Sequence, residues 1–400
     1  MKQKYLRRYL LLNLILPITF LLLPASGFAN PPSNQKDSAL ALNAKMQNLK
    51  SLLNSLLTKA SSDALFHDPK NREETLNELK QLGNLAHGLS TKSSFPSSDP
   101  ILKYLPNHLE ADVSEAYLAY QQGNKAYARS LIRNISSFCI ACHTSDASGP
   151  HFPGFSWQAS LPLKPLELAQ FYSATRQFDE AESIYSGIIQ SPEANRDELV
   201  EAIRQSLEIA LRVKNDPNLA LSLIQVVMKA QNVPAFLKFN AIEWRKDIQN
   251  WNAKPLLVLE TPDQMLKAAK KLMDSAHKQQ KYFTDRSADM QYLHASVILH
   301  DLIKKAPPVP ILGESLYLEG VCYDILNPYD FDGLNNFYFE SCIRNAPHTE
   351  LSEKCYLRYQ QNLYLAYSGS AGTELPKDVK DRLLELWPIS TRVKTPDKTI

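Results

Sequence analysis

The stretch Cys139-Ile140-Ala141-Cys142-His143 constrains this chain more than any other. C-x-x-C-H is the pattern in which two thiols add across the vinyl groups of a haem and the next residue brings an imidazole to its iron. Residues three apart on a helix share a face. Cys139 and Cys142 can therefore reach one edge of a porphyrin while His143 turns its ring to the metal. A zinc site would need a second ligand pair at metal-ligand spacing, and there is no other C-x-x-C and no H-x-x-x-H. A thioredoxin-like redox pair would need a strand–helix–strand context, which the flanks lack. The expectation is one covalent haem c on Cys139 and Cys142, with His143 as the proximal iron ligand.

Residues 1–29 read as a secretory signal peptide. Lys2, Lys4, Arg7 and Arg8 form a positive start, Leu10 to Leu23 an apolar core, and Gly27-Phe28-Ala29 a small-x-small cleavage site after Ala29. The apolar run contains Pro17 and falls short of the roughly 20 residues of a spanning helix. Cleavage and a periplasmic location follow, and they suit covalent haem attachment, which takes place outside the bacterial cytoplasmic membrane. No later run approaches spanning length. The 44 Lys and Arg against 42 Asp and Glu give +2, and loss of the four basic residues of the leader leaves −2. Such a balance gives no reason to invoke nucleic acid or acidic lipid.

With 12 glycines in 400 residues and little strand-like alternation, the chain reads as all-α. A first amphipathic helix over about 38–60 places Leu42, Met46, Leu49, Leu53 and Leu56 on one stripe. A second, about 72–90, does the same with Leu76, Leu79, Leu82, Leu85 and Leu89. Ser93 to Pro100 is a loop rich in Ser and Pro. A third helix runs from about 109 to 122, and a fourth, about 124–144, aligns Ala128, Leu131, Ile135, Phe138 and Cys142. Four such helices with short connections describe a four-helix bundle, and residues 30–150 are expected to form a haem domain of that kind.

A four-helix domain with C-I-A-C-H near the end of its last helix resembles the cytochrome c-prime family and its low-spin relatives. The resemblance covers about 38–145. It implies that the first helix lays a residue over the distal haem face, a methionine in low-spin members and an apolar residue in high-spin ones. The matching position is Met46, the candidate distal ligand. After the motif the chain reads Thr144-Ser145-Asp146, where high-spin members continue with an aromatic and a basic residue. His67, His87, His108 and His151 are alternative ligands, each read as a surface or loop residue, with His151-Phe152-Pro153-Gly154-Phe155-Ser156-Trp157 able to fold over a haem edge.

From Leu161 the pattern becomes one of helical hairpins. Leu168-Ala169, Tyr172, Phe178, Ala181, Tyr185 and Pro192 resemble a tetratricopeptide repeat, in which small residues let two helices approach closely. A second, irregular unit follows with Leu207, Leu211, Ala220, Ile224 and Pro234. Residues 240–260, with Trp244, Trp251 and Pro255, read as a joint, and helices are expected at about 262–280, 286–304, 311–325, 334–345, 349–367 and 376–387. Residues 151–400 are thus expected to be a TPR-like α-hairpin solenoid. Cys342 and Cys355 flank the turn Ala346-Pro347-His348, within disulfide reach across a hairpin, with Cys322–Cys342 as the competing pair.

Ser368 to Thr373 is rich in small residues but lacks the G-K-[ST] of a phosphate loop. G-x-S-x-G and H-E-x-x-H are also missing, so the chain reads as a carrier rather than an enzyme. The sequence points to an exported monohaem c-type cytochrome acting in electron transfer, its helical repeats docking a protein redox partner. A haem protein with an open distal site for NO or CO is the alternative.

Overall fold

A computed structural model describes residues 33–90, 101–145, 163–253, 261–282, 284–326, 333–370 and 372–392. The leader at 1–29 with its cleavage site, the loop at 93–100 and the segment 151–157 lie outside the described residues. Among the described residues there are sixteen α-helices and one two-stranded hairpin. The protein is all-α, and no helix there is long and apolar enough to cross a membrane.

The first five helices are α1 (Ser33–Ser61), the short α2 (Asp63–His67), α3 (Arg72–Ser90), α4 (Ile101–Gln121) and α5 (Lys125–Ser145). Helix α1 packs on α3 and α5, α3 on α4, and α4 on α5, which closes a ring of four long helices. Of the stripes read from the sequence, Leu53, Leu56, Leu76, Leu79, Leu82, Leu89, Ala128, Ile135 and Phe138 are buried, while Leu49, Leu85 and Leu131 are partly buried; α4 adds Val113 and Ala116, and α5 adds Ile132. Burial of each large aliphatic chain contributes about 1.5–3 kcal/mol. At the α4–α5 turn Gly123 adopts φ 87°, where a side chain would be strained.

One boundary differs from the sequence reading. Helix α4 starts at Ile101, eight residues earlier than expected at 109, and continues through Pro106. Pro106 has no N–H for the carbonyl of Leu102, so this stretch resembles a loop. The turns on either side and the buried Leu105 and Leu109 hold the helix across the gap.

The chain continues as α6 (Pro165–Ala174), α7 (Phe178–Gln190), α8 (Arg196–Glu208), α9 (Pro217–Lys229), α10 (Ala235–Ala253), α11 (Pro262–Gln279), α12 (Asp289–Lys304), α13 (Val309–Leu326), α14 (Leu334–Asn345), α15 (Glu350–Ala366) and α16 (Lys377–Ser390). Most neighbours pair in sequence, with α10 packing on α9 and α12, and Ala169, Ala181 and Ala220 are fully buried where helices of the first hairpins meet. A π-helical turn, Ile209–Val213, extends α8.

The expected joint at 240–260 is instead helical through residue 253. Both indoles point into the interior. Trp244 Nε1 donates to the Arg286 carbonyl at 2.7 Å, and Trp251 stacks on His294 with centroids 3.9 Å apart. Aromatic burial outweighs the modest helix propensity of Trp here.

Helix α14 returns to pack on α4. A continuous buried cluster therefore runs from Leu53 and Ile135 to Phe337, Tyr338 and Leu386. Gly320 makes the α13–α14 approach feasible, since a Cβ there would lie 2.7 Å from the Phe339 ring. Cys342 and Cys355 sit at disulfide distance with Cα atoms 6.2 Å apart, bridging α14 and α15. Cys322 is buried elsewhere, its Sγ 3.9 Å from Met273 Sδ.

Candidate functional site

The C-terminal half of α5 presents Ile135, Phe138, Cys139 and His143 at helical spacing on one face. They border a cavity of about 80 Å³ between α1, α3, α4, α5 and the end of α6. Its walls are almost wholly apolar, formed by side chains such as Leu53, Leu82 and Leu105. Met46 of α1 lines the same cavity as Cys139 and His143. Three of the four site residues read from the sequence thus meet around one space. The backbone of the fourth, Cys142, is helical, and its side chain lies outside the described residues.

The imidazole of His143 is oriented from outside α5. Its Nδ1 lies 2.7 Å from the carbonyl oxygen of Ala174, the last residue of α6. A carbonyl only accepts, so Nδ1 carries the hydrogen and a neutral ring keeps its lone pair on Nε2. Burial pushes the His143 pKa down to about 4, the Arg176 guanidinium adds to this, and the Ala174 hydrogen bond opposes both. At neutral pH the ring is uncharged. A neutral imidazole with Nδ1 hydrogen-bonded is the state in which histidine binds a metal.

Cys139 Sγ lies 3.7 Å from the Ile135 carbonyl oxygen, one turn earlier on the same helix. The adjoining Thr144 is buried, its hydroxyl donating to Ile140 O at 2.9 Å and to Glu208 Oε1 at 3.2 Å. Among the described residues, no group of three or more His, Cys, Asp or Glu side chains could hold a metal ion. The described side chains around the cavity that could bind a metal include the His143 imidazole, the Met46 thioether and the Cys139 thiol, set in a mostly apolar wall.

Of the alternative histidines, His67, His87 and His108 are described, and none of these three lines the cavity. His67 is exposed on α2, its Nδ1 2.9 Å from the Asp63 carbonyl oxygen, and His87 is exposed on α3, 3.1 Å from Glu110. His108 departs from the surface assignment: it is half-buried in α4 against Phe337 of α14. His151 lies outside the described residues.

Two contributors were missed in the sequence. Lys50 is buried on α1 one turn beyond Met46 and also lines the cavity, where burial lowers its pKa. Its i+4 spacing from Met46 is a legible signal, masked by the habit of lysine to reach solvent. Ala174 left no signal at all, because it acts through its carbonyl. Comparison of the chain with family models, curated proteins and solved structures gives no match.

Proposed function

We propose that this protein is an exported, periplasmic monohaem c-type cytochrome that carries electrons. In this reading residues 1–29 are a cleaved signal, 30–150 a four-helix-bundle haem domain of cytochrome c-prime type, and 151–400 a TPR-like solenoid that docks a protein redox partner. Cys139 and Cys142 would hold haem c covalently, with His143 as the proximal iron ligand and Met46 as the candidate distal ligand.

The observation that supports this most is the shared cavity of Met46, Cys139 and His143, with the His143 lone pair on Nε2. The residue types suit the group: the walls are apolar and would keep water from a macrocycle, and a thiol of the motif, a neutral imidazole and a thioether border the cavity. Bound haem supplies reversible one-electron chemistry, with its potential set by the axial ligands and burial. The chain's part is to orient His143 through Ala174, to present Met46 from α1, and to keep the walls dry.

The test is expression with a periplasmic c-type maturation system. Wild-type protein should keep its haem stain on a denaturing gel, and Cys139→Ala with Cys142→Ala should lose it. Exported wild-type protein without covalent haem would overturn the proposal.

A further inference from the structure

The α6–α7 turn grips the end of α5 that bears the C-x-x-C-H motif. Ala174 accepts from His143 Nδ1 at 2.7 Å, while Arg176 Nη1 donates to the His143 carbonyl at 3.3 Å. The two residues hold opposite ends of one histidine, its ring and its backbone. Two more links tie α5 to the hairpins. Arg133 of α5 pairs with Glu167 of α6, and Thr144 donates to Glu208, which pairs with Arg212 at 2.7 Å.

Arg176 occupies an unfavourable backbone position to do this. Its φ is 59°, in the left-handed region that glycine fills at lower cost, and its side chain is buried beside His143. The turn itself needs only the conformation. The Arg176 N–H donates to Ser173 O at 3.1 Å, and the Gln177 N–H to Tyr172 O at 2.8 Å. Any residue able to take that φ, glycine above all, would make these bonds. The turn's backbone does not require the guanidinium, which lies over the Phe178 ring, 5.7 Å from its centroid, and reaches the His143 carbonyl.

We propose that this turn is part of the redox site, with Arg176 as a positioning residue that fixes the proximal histidine and raises the reduction potential of the iron it binds. This rests on the haem reading above. A buried positive charge near the iron opposes its extra positive charge in the oxidised state, so it favours uptake of one electron. The hairpin region is then part of the haem site as well as a docking surface.

The experiment compares full-length wild type, Arg176→Gly and Arg176→Lys by spectroelectrochemical titration with mediator dyes. Arg176→Gly removes the charge and relieves the backbone, so the variant should fold, and circular dichroism checks that it does. Its midpoint potential should shift to a lower value, and its haem stain should persist. Arg176→Lys keeps a cation and should stay nearer to wild type. A haem-bearing, folded Arg176→Gly with the wild-type potential overturns this proposal alone. A wild-type chain that takes up no haem overturns the haem reading and this one with it.

Discussion

The imidazole of His108, on α4, lies against the ring of Phe337, on α14, with centroids 4.1 Å apart and planes inclined by 59°. This contact joins the ring of helices that holds the cavity to the last hairpins of the chain. Buried neighbours on both sides, among them Leu109, Tyr338 and Phe339, make it part of one core.

Phe337→Ala should therefore weaken both ends of the protein together. Emptying a buried phenylalanine site costs about 3–5 kcal/mol. Urea unfolding followed by tryptophan fluorescence and by far-ultraviolet circular dichroism should show one shared transition moved to lower urea. Separate transitions, with only one of them shifted, would show that the α4–α14 contact does not couple the two ends.

The same contact should be acid-sensitive. Burial, aided by Arg382, lowers the His108 pKa from 6.5 to about 4. The unfolded chain thus binds this proton more readily, and stability rises with pH between the two values. The contribution of neutral His108 is complete above about pH 6.5 and is lost as pH falls towards about 4. His108→Gln should flatten the stability profile over that window relative to wild type. Parallel profiles for the two proteins would refute the assignment.

Met46→Ala probes the distal side. If its sulfur opposes His143 across the cavity, wild type should be low-spin and the variant high-spin and open to CO, with covalent haem retained. Met46 is only partly buried, so the stability cost should fall near the low end of methionine truncations, about 2 kcal/mol. An unchanged low-spin spectrum would reduce Met46 to a packing residue. A high-spin wild type would favour the gas-binding alternative.

Cys342 and Cys355 close a loop with a sequence separation of 13 residues. Replacing both with alanine should cost about 2–4 kcal/mol, read as a lower urea midpoint than that of the oxidised wild type. Cys322→Ala should leave the non-reducing peptide map unaltered, since Cys322 packs on Met273 instead. A bridged peptide containing Cys322 would contradict the pairing.

Much of this architecture was legible because it is local. The leucine stripe at 72–90 marks α3 to its ends, and α14 spans the expected 334–345. The spacing of Cys139, Cys142 and His143 needs only the helical repeat, and Cys342 and Cys355 needed only a short turn between two helices. Helix α4 and helix α10 were misread where local signals oppose the outcome: Pro106 lacks a donor, and the tryptophans of α10 have modest helix propensity. Tertiary burial overrides both.

What only the tertiary structure decided are contacts between residues distant along the chain. Met46 shares a wall with His143 because α1 packs on α5. The return of α14 onto α4 depends on the summed geometry of nine intervening helices. The hydrogen bond that orients His143 comes from a backbone carbonyl, which every residue possesses, so no side-chain pattern marks Ala174. Side-chain chemistry is written in the sequence, whereas the use of a backbone group depends on where the packed helices bring it.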